Sequence, residues 1–506
     1  FTGSYNTGSF TGSFTGDGSN LYNIPSSGIT GLNLSQIASG SVTASISPVG
    51  GFRINTNTQI TGSLTIQPTS SATQLVSIIQ AGSGSIALVP SGSGAIMASI
   101  PDGTAVGGNA RGQYAVDLQM RRQFVSTVAV GNYSSIVGGY GNQTSGAHSV
   151  SGGNENSANG QYSVSFGNTN SANGQAAVVF GQSNQASSNF SVVSGGQVNV
   201  ASTNTHATVV GGQSNTASGI SSVAGGKGNT ASGAYSVTFG EVNTASGQYN
   251  TICGGRNNVA NGTQYCTIGG GSGNQCTHFE TTIAGGVSNS INRSGGFIGG
   301  GGSNTITASA YGVIGGGYQN LINTGTNANE YITIPGGLQA RGFNFAGHYL
   351  ASGMFATQGD AQQSLLTARK QDTLTTGQTS SLSLDGTGTT NLIIANGTNR
   401  TWNTTVKWVA TVTGSSGTTT GVSIGDSIYG VSEFGFKVSA SIASITPLIR
   451  DSIVADTTIM ETCTMTYATG STAKELRLTL TGPTFAGGGS LGIRTVAKIE
   501  LVELGW

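Results

Sequence analysis

Between Tyr133 and Asn320 the chain repeats one pattern thirteen times: valine or isoleucine, glycine three positions on, and asparagine three positions after that. The asparagines are Asn142, Asn156, Asn170, Asn184, Asn199, Asn215, Asn229, Asn243, Asn258, Asn274, Asn289, Asn304 and Asn320. Six places before them stand Ile136, Val150, Val164, Val178, Val193, Val209, Val223, Val237, Ile252, Ile268, Ile283, Ile298 and Ile314. The period is 14 residues, with insertions of one or two. A short period with an invariant apolar position marks a solenoid, in which each turn is too small to fold alone and is completed by its neighbours.

Side chains alternate along a strand, so residues eight, six and four places before each asparagine share a face, and the β-branched residue is expected to point inward. An even period keeps that facing from turn to turn, which assigns the insertions to corners. Four places before the asparagine stands glycine in most turns but Phe166, Phe180 and Phe239 in three. Two places after it come Ala158, Ala172, Ala186, Ala201, Ala217, Ala231, Ala245 and Ala260, read as the opposite wall of a narrow interior. Glycine reaches positive φ without a Cβ clash, and asparagine tolerates left-handed backbone. Stacked asparagines are also expected to form an amide ladder. At about 4.8 Å per strand, thirteen turns form a rod of roughly 60 Å.

Only 7% of the 506 residues are charged and 84 are glycine, a composition that also suits disordered linkers. The strict apolar register excludes that reading for the repeats. Eighteen basic and eighteen acidic residues cancel, which leaves no chain-wide footprint for nucleic acid or an anionic membrane. No apolar run reaches membrane-spanning length, so no membrane insertion is expected. The chain begins at Phe1 rather than Met, which leaves room for an upstream attachment region. Cys253, Cys266, Cys276 and Cys463 lack metal-ligand spacing and read as buried small residues, with a disulfide among the first three left open.

Five regions follow from the changes of pattern. Residues 1–35 repeat FTGS-like units and read as an extended β-rich shaft. Residues 36–110 alternate with period two, as in a small fibrous β-module. Residues 111–345 are the solenoid with its junction, where Asp117 opposes Arg121 and Arg122 in a capping segment rather than a basic binding patch. Residues 346–372 read as a neck with helical character. Residues 373–506 alternate in strands at 381–384, 402–412, 433–439, 461–467, 475–480 and 494–502, a pattern expected of an antiparallel β-sandwich of the jelly-roll kind.

The stretch SSVAGGKGNTASGAYSVTFGEVNTASGQYN resembles the YadA-like head repeat of trimeric autotransporter adhesins, whose members form left-handed parallel β-rolls assembled as trimers. GGNARGQYAVDLQ before the repeats, FATQGDAQ after them, and the opening FTGSFTGDGSNLYNI are more similar to bacteriophage tail fibre and tailspike proteins that use the same roll. The chain shows neither the sustained heptads nor the membrane barrel of an autotransporter, and no self-cleaving chaperone domain. The resemblance implies an all-β fibrous homotrimer.

The repeats offer little chemistry. Glycoside hydrolysis needs two carboxylates across one bond. Residues 125–330 hold only Glu155, Glu241, Glu280 and Glu330. Glu155 and Glu241 lie six turns apart, roughly 30 Å at the strand spacing. His148, His206, His278 and His348 fall at different repeat positions without ligand spacing and read as packed or surface aromatics. The GGGGSN string at Gly299 keeps the solenoid register and lacks a following Lys-Ser/Thr, so no nucleotide site is assigned. Trp402 and Trp408 share strand parity and read as core, whereas Asp385, Asp426, Asp451 and Asp456 read as loop acids.

These features point to a non-enzymatic phage tail fibre, extracellular and virion-borne, without catalytic, cofactor-binding or metal residues. Its expected partners are two further copies of itself, other virion tail proteins at the N-terminus, and a bacterial surface glycan or protein held by the C-terminal tip. A bacterial surface adhesin and a polysaccharide depolymerase remain open alternatives.

Overall fold

The computed structural model describes residues 93–307, 310–323, 331–387, 393–394, 399–440, 442–446, 449–469 and 475–505. The shaft expected at 1–35, and the module at 36–110 up to residue 92, lie outside the described residues. The chain is all-β, a β-solenoid followed by antiparallel sheets. Each solenoid turn contributes one strand to each of two parallel sheets. One wall is built from two-residue strands running from Gln143–Thr144 to Arg341–Gly342. There the alanines stack in register, Ala158 on Ala172 and Ala245 on Ala260, all fully buried. Towards the C-terminal end the wall becomes Ile291, Ile306 and Ile322.

The facing wall departs from the expected register. Ile136, Val193, Val209, Ile252, Ile268, Ile283, Ile298 and Ile314 are fully buried, as expected. Val150, Val164, Val178, Val223 and Val237 are only half-buried, on the outer face. Their inward neighbours are Ser151, Ser165, Val179, Ala224 and Thr238. Strand pairing shows why: Ile136 pairs with Ser151, and Val209 with Ala224. Longer turns carry an extra residue inside the strand, between Ile136 and Gly139 or between Val209 and Gly211, as a bulge rather than only at corners. Counting back from asparagine crosses that residue in some turns and not in others. One step inverts the face.

The glycine three places before each asparagine serves two purposes. Gly153 has φ +107°, and a Cβ there would lie 2.2 Å from the Gly167 carbonyl oxygen of the next turn. The asparagine itself is not the left-handed residue. That conformation falls on its predecessor, as at Glu155 (φ 54°), Thr169 (φ 58°) and Val242 (φ 56°). The asparagines are buried and form the expected ladder in a mixed form. The Asn156 N–H donates to Asn142 Oδ1 at 3.0 Å, Asn170 to Asn156 likewise, and the series runs to Asn320 on Asn304. Each Nδ2 also donates to backbone carbonyls of its own turn and the next, as Asn229 does to Gly225 at 2.8 Å and Gly240 at 2.6 Å.

A second ladder, of aromatic rings, runs along one corner. Tyr114, Tyr133, His148 and Tyr162 stack at 5.0, 4.8 and 5.3 Å, and Tyr235, Tyr249 and Tyr265 at 5.0 and 5.1 Å. All seven have positive φ, a strained conformation for a large side chain. Stacking offsets that strain. Replacing Tyr249, which has a ring on each side, with alanine should therefore cost about 1 kcal/mol. Thermal unfolding of Tyr249→Ala against Tyr114→Ala, at the ladder's end, checks this, and the interior substitution should be the worse.

The larger parallel sheet runs without a break into the C-terminal region. Thr333 of the last turn pairs in parallel with His348, and His348 pairs antiparallel with Leu365. The strand order continues as Ala361–Leu374, Ser490–Gly505, Arg400–Ser416 and Ser427–Ser439, then both Ile442–Ile445 and Arg450–Ala455. A second antiparallel sheet holds Thr379–Leu382, Glu475–Thr481, Ile393–Ile394 and Thr464–Thr469. Trp402, Trp408, Phe434, Leu478 and Leu480 are buried in one core, so the tryptophans are packing residues as expected.

The helical character expected of 346–372 is not found. Among the described residues there is no α-helix, and Ala361–Leu374 is a 14-residue strand. Its residues favour helix, but Gln362, Ser364, Leu366 and Ala368 are buried with period two. Pairing along the whole of Ser490–Gly505 overrides local propensity.

Candidate functional site

The four acidic residues singled out in the C-terminal region are each held in a local structural role. Asp426 accepts the Ser423 N–H at 2.8 Å, Asp456 accepts that of Ser427 at 3.0 Å, and Asp385 accepts the Thr387 N–H at 3.0 Å. Asp451 lies in the strand Arg450–Ala455 rather than in a loop, and accepts from Ser432 Oγ at 2.8 Å. Ser432 also binds the Tyr467 hydroxyl at 2.8 Å. Burial pushes that phenol up to about 12.

In the roll, Glu155 sits at a left-handed corner, and Glu241 pairs with Lys227 at 3.5 Å on the exposed surface. Glu330 lies outside the described residues. His148 is part of the aromatic ladder, His206 stacks on Phe190 at 5.1 Å, and His278 Nδ1 lies 2.7 Å from Ser294 Oγ. Among the described residues no cluster of three or more His, Cys, Asp or Glu side chains is arranged to hold a metal ion. All four cysteines are free, with Cys253 exposed and the others buried.

Asp117 is opposed differently from the expectation. It pairs with Arg111 Nε at 2.8 Å and Arg122 Nη2 at 3.2 Å, all with buried side chains, whereas Arg121 lies over the Tyr140 ring. Arg111 was not singled out. It lies six residues away on the preceding loop, and only the fold brings it to the carboxylate.

A buried polar network joins the roll to the C-terminal sheet. Gln362 Oε1 accepts the Arg341 N–H at 2.9 Å, and Gln362 Nε2 donates to Glu503 Oε2 at 3.2 Å. Glu503 also pairs with Arg400, which donates to the Gly359 carbonyl at 2.8 Å. Asp360 accepts the N–H groups of Phe355, Ala356 and Thr357 at 2.7–2.8 Å. Burial raises the Asp360 carboxyl, but those three donors and Arg400 outweigh it and hold it below the usual carboxylate value. Its contribution is therefore fully present above the unfolded value of about 3.9 and fades as pH falls through the lower folded value. Asp360→Asn should lower the melting temperature at pH 7 and flatten its acid dependence, which a melting series from pH 7 to pH 2 checks.

The C-terminal sheet also presents two neighbouring clefts. One, of about 420 Å³, is lined by Lys407, Val409, Tyr429, Val454, Val496 and Lys498 among others. The second, of about 350 Å³, is lined by Arg369, Lys370, Gln371, Asp385 and Arg494, with Val496 shared. Strands rather than loops supply most of both linings. Sequence reasoning placed recognition in the C-terminal tip and, of these residues, named only Asp385, as a loop acid. The alternation of Lys407 and Val409 with buried neighbours was the available signal.

No family model and no curated protein sequence matches the chain. The chain is distantly similar in structure to phage tailspikes. The tailspike of Acinetobacter baumannii phage AM24 shares 10% identity over 81% of this chain and 77% of its own, with a TM-score of 0.20. That of Acinetobacter phage vB_ApiP_P1 shares 9% over 82% and 80%, with a TM-score of 0.21. The tailspike gp49 of Acinetobacter baumannii bacteriophage Fri1, a capsular polysaccharide depolymerase, shares 10% over 81% and 70%, with a TM-score of 0.16.

Proposed function

We propose that the chain is a homotrimeric, non-enzymatic fibre of a phage virion tail that adheres to a bacterial surface glycan through its C-terminal sheets. Other tail proteins would hold its N-terminal side. The observation that carries the assembly is a strip of glycine on the outer face of the roll, four places before Asn258, Asn274, Asn289, Asn304 and Asn320 and before Ala340, which takes the asparagine position in the next turn. A Cβ at Gly254, Gly270, Gly285, Gly300, Gly316 or Gly336 would meet no atom of this chain within 4 Å, and none of these residues has a left-handed φ. Glycine in a strand costs about 0.5–1 kcal/mol relative to alanine. Nothing within one chain accounts for six in a row, whereas close approach of a sister copy does. In other turns Phe166, Phe180 and Phe239 occupy the same position.

The adhesive reading is supported by the carboxylates, which serve as turn acceptors and ion-pair partners, and by clefts built on paired strands. Three weak sites presented together on one rod gain avidity without any chemical step. The test is adsorption of purified protein to host cells, with release of new reducing ends from capsule or lipopolysaccharide measured alongside. Saturable adsorption without release supports the proposal. Sustained release replaces it with a depolymerase, and absence of adsorption overturns it.

A further inference from the structure

We propose that the outer face of the C-terminal sheet around Val496 binds an acidic glycan, with a sugar ring lying against Val409, Tyr429 and Val496 and its anionic group held by Lys407 and Lys498. This rests on the adhesive reading above and names its ligand class. The strand register places Lys407 directly opposite Lys498, Val409 opposite Val496, and Arg369 opposite Val496 on the other side. Arg494 lies two residues before Val496 and therefore on the same face. Tyr429 extends the Val409 row and is 51% exposed, beside Val496 at 44%. One apolar platform is thus bordered by four cations.

Like charges directly opposite on neighbouring strands destabilise a sheet. Lys498 pairs with Glu500 at 2.6 Å, which offsets one of the two lysines. Over the whole chain basic and acidic residues balance at 18 each, so this is a local excess hidden by the total. Arg494 donates Nε to Gln371 at 2.9 Å and Arg369 donates Nη2 to the Asp385 carbonyl at 3.4 Å, one N–H each out of the five a guanidinium carries. A carboxylate or phosphate satisfies such donors with charge-assisted bonds, and the apolar face of a sugar ring suits the tyrosine and valines. A nucleic acid fits less well. Its backbone needs a long basic track and several stacking aromatics, and this face has one tyrosine.

The test uses the full chain and immobilised polygalacturonate, with dextran as the neutral polysaccharide and single-stranded DNA as the competing polyanion. Wild type should bind polygalacturonate in preference to both, more weakly at high salt. Lys407→Gln/Lys498→Gln should weaken it at least about tenfold, the loss expected for charge-assisted hydrogen bonds. Its melting temperature should change little, because both lysines are exposed and the loss of the surface Lys498–Glu500 pair is set against relief of the repulsion between the lysines. Equal binding to dextran, tighter binding to DNA, an unaffected double variant or no retention on polygalacturonate overturns the inference. Host-cell adsorption is measured in parallel. Cells bound equally by wild type and variant remove the acidic-glycan site and leave adhesion standing, whereas cells bound by neither remove adhesion itself.

Discussion

Gly270→Leu/Gly285→Leu should sediment as a monomer, whereas the unaltered protein should sediment as the proposed trimer. In the isolated chain a Cβ at either position meets nothing within 4 Å and points into open space, so the roll itself tolerates both substitutions. Against a packed sister surface each insertion costs about 1–3 kcal/mol, and threefold repetition multiplies the clash. Gly240→Leu is the contrasting control. Its φ is +105° and a Cβ there would lie 2.3 Å from the Gly255 carbonyl oxygen, so that change damages the roll and not the assembly. Circular dichroism separates the two outcomes. A double leucine variant that stays trimeric with an unchanged melting temperature refutes this face as the interface.

The second large effect is expected at Asn229. Its side chain accepts the Asn243 N–H at 2.9 Å and donates to the Gly225 and Gly240 carbonyls. Asn229→Ala strands all three buried groups, each worth about 1–3 kcal/mol when left unsatisfied, and should destabilise by about 3–5 kcal/mol. Asn229→Asp keeps the acceptor but loses the donor and turns a carboxylate toward two carbonyl oxygens. Protonation restores a donor, so the folded state should favour the neutral acid and raise its pKa. The aspartate variant should then be much weaker than wild type at pH 7 and regain stability relative to it as pH falls through that raised value. Denaturant unfolding at pH 7 and pH 4.5 checks both substitutions. A parallel pH response in the aspartate variant and the wild type contradicts the ladder geometry.

Much of the fold could be read from spacing alone, because in a solenoid the contact partner of a residue is the same position one period later. The alanine wall and the asparagine ladder follow from that rule. What failed was parity. Val150 and Val164 were placed inside by counting from asparagine, and a single bulged residue in the longer turns moves the inward position onto Ser151 and Ser165. The aromatic ladder was overlooked because its rungs are of different types, Tyr, His and Phe, and only their shared corner makes them one feature. Ala361–Leu374 was misread for a different reason: its residues favour helix locally, and its partner strand lies more than a hundred residues away. The basic platform escaped notice because its cations come from three strands far apart in the chain.

The unbroken passage from Thr333 through His348 to Leu365 has a mechanical consequence. Force applied at the distal strands is handed from one backbone ladder to the next, with no swivel at which it could dissipate. If the chain is the proposed adhesive fibre, torque on an attached cell reaches the coils directly, and a captured surface is held at a fixed angle instead of dangling from a tether.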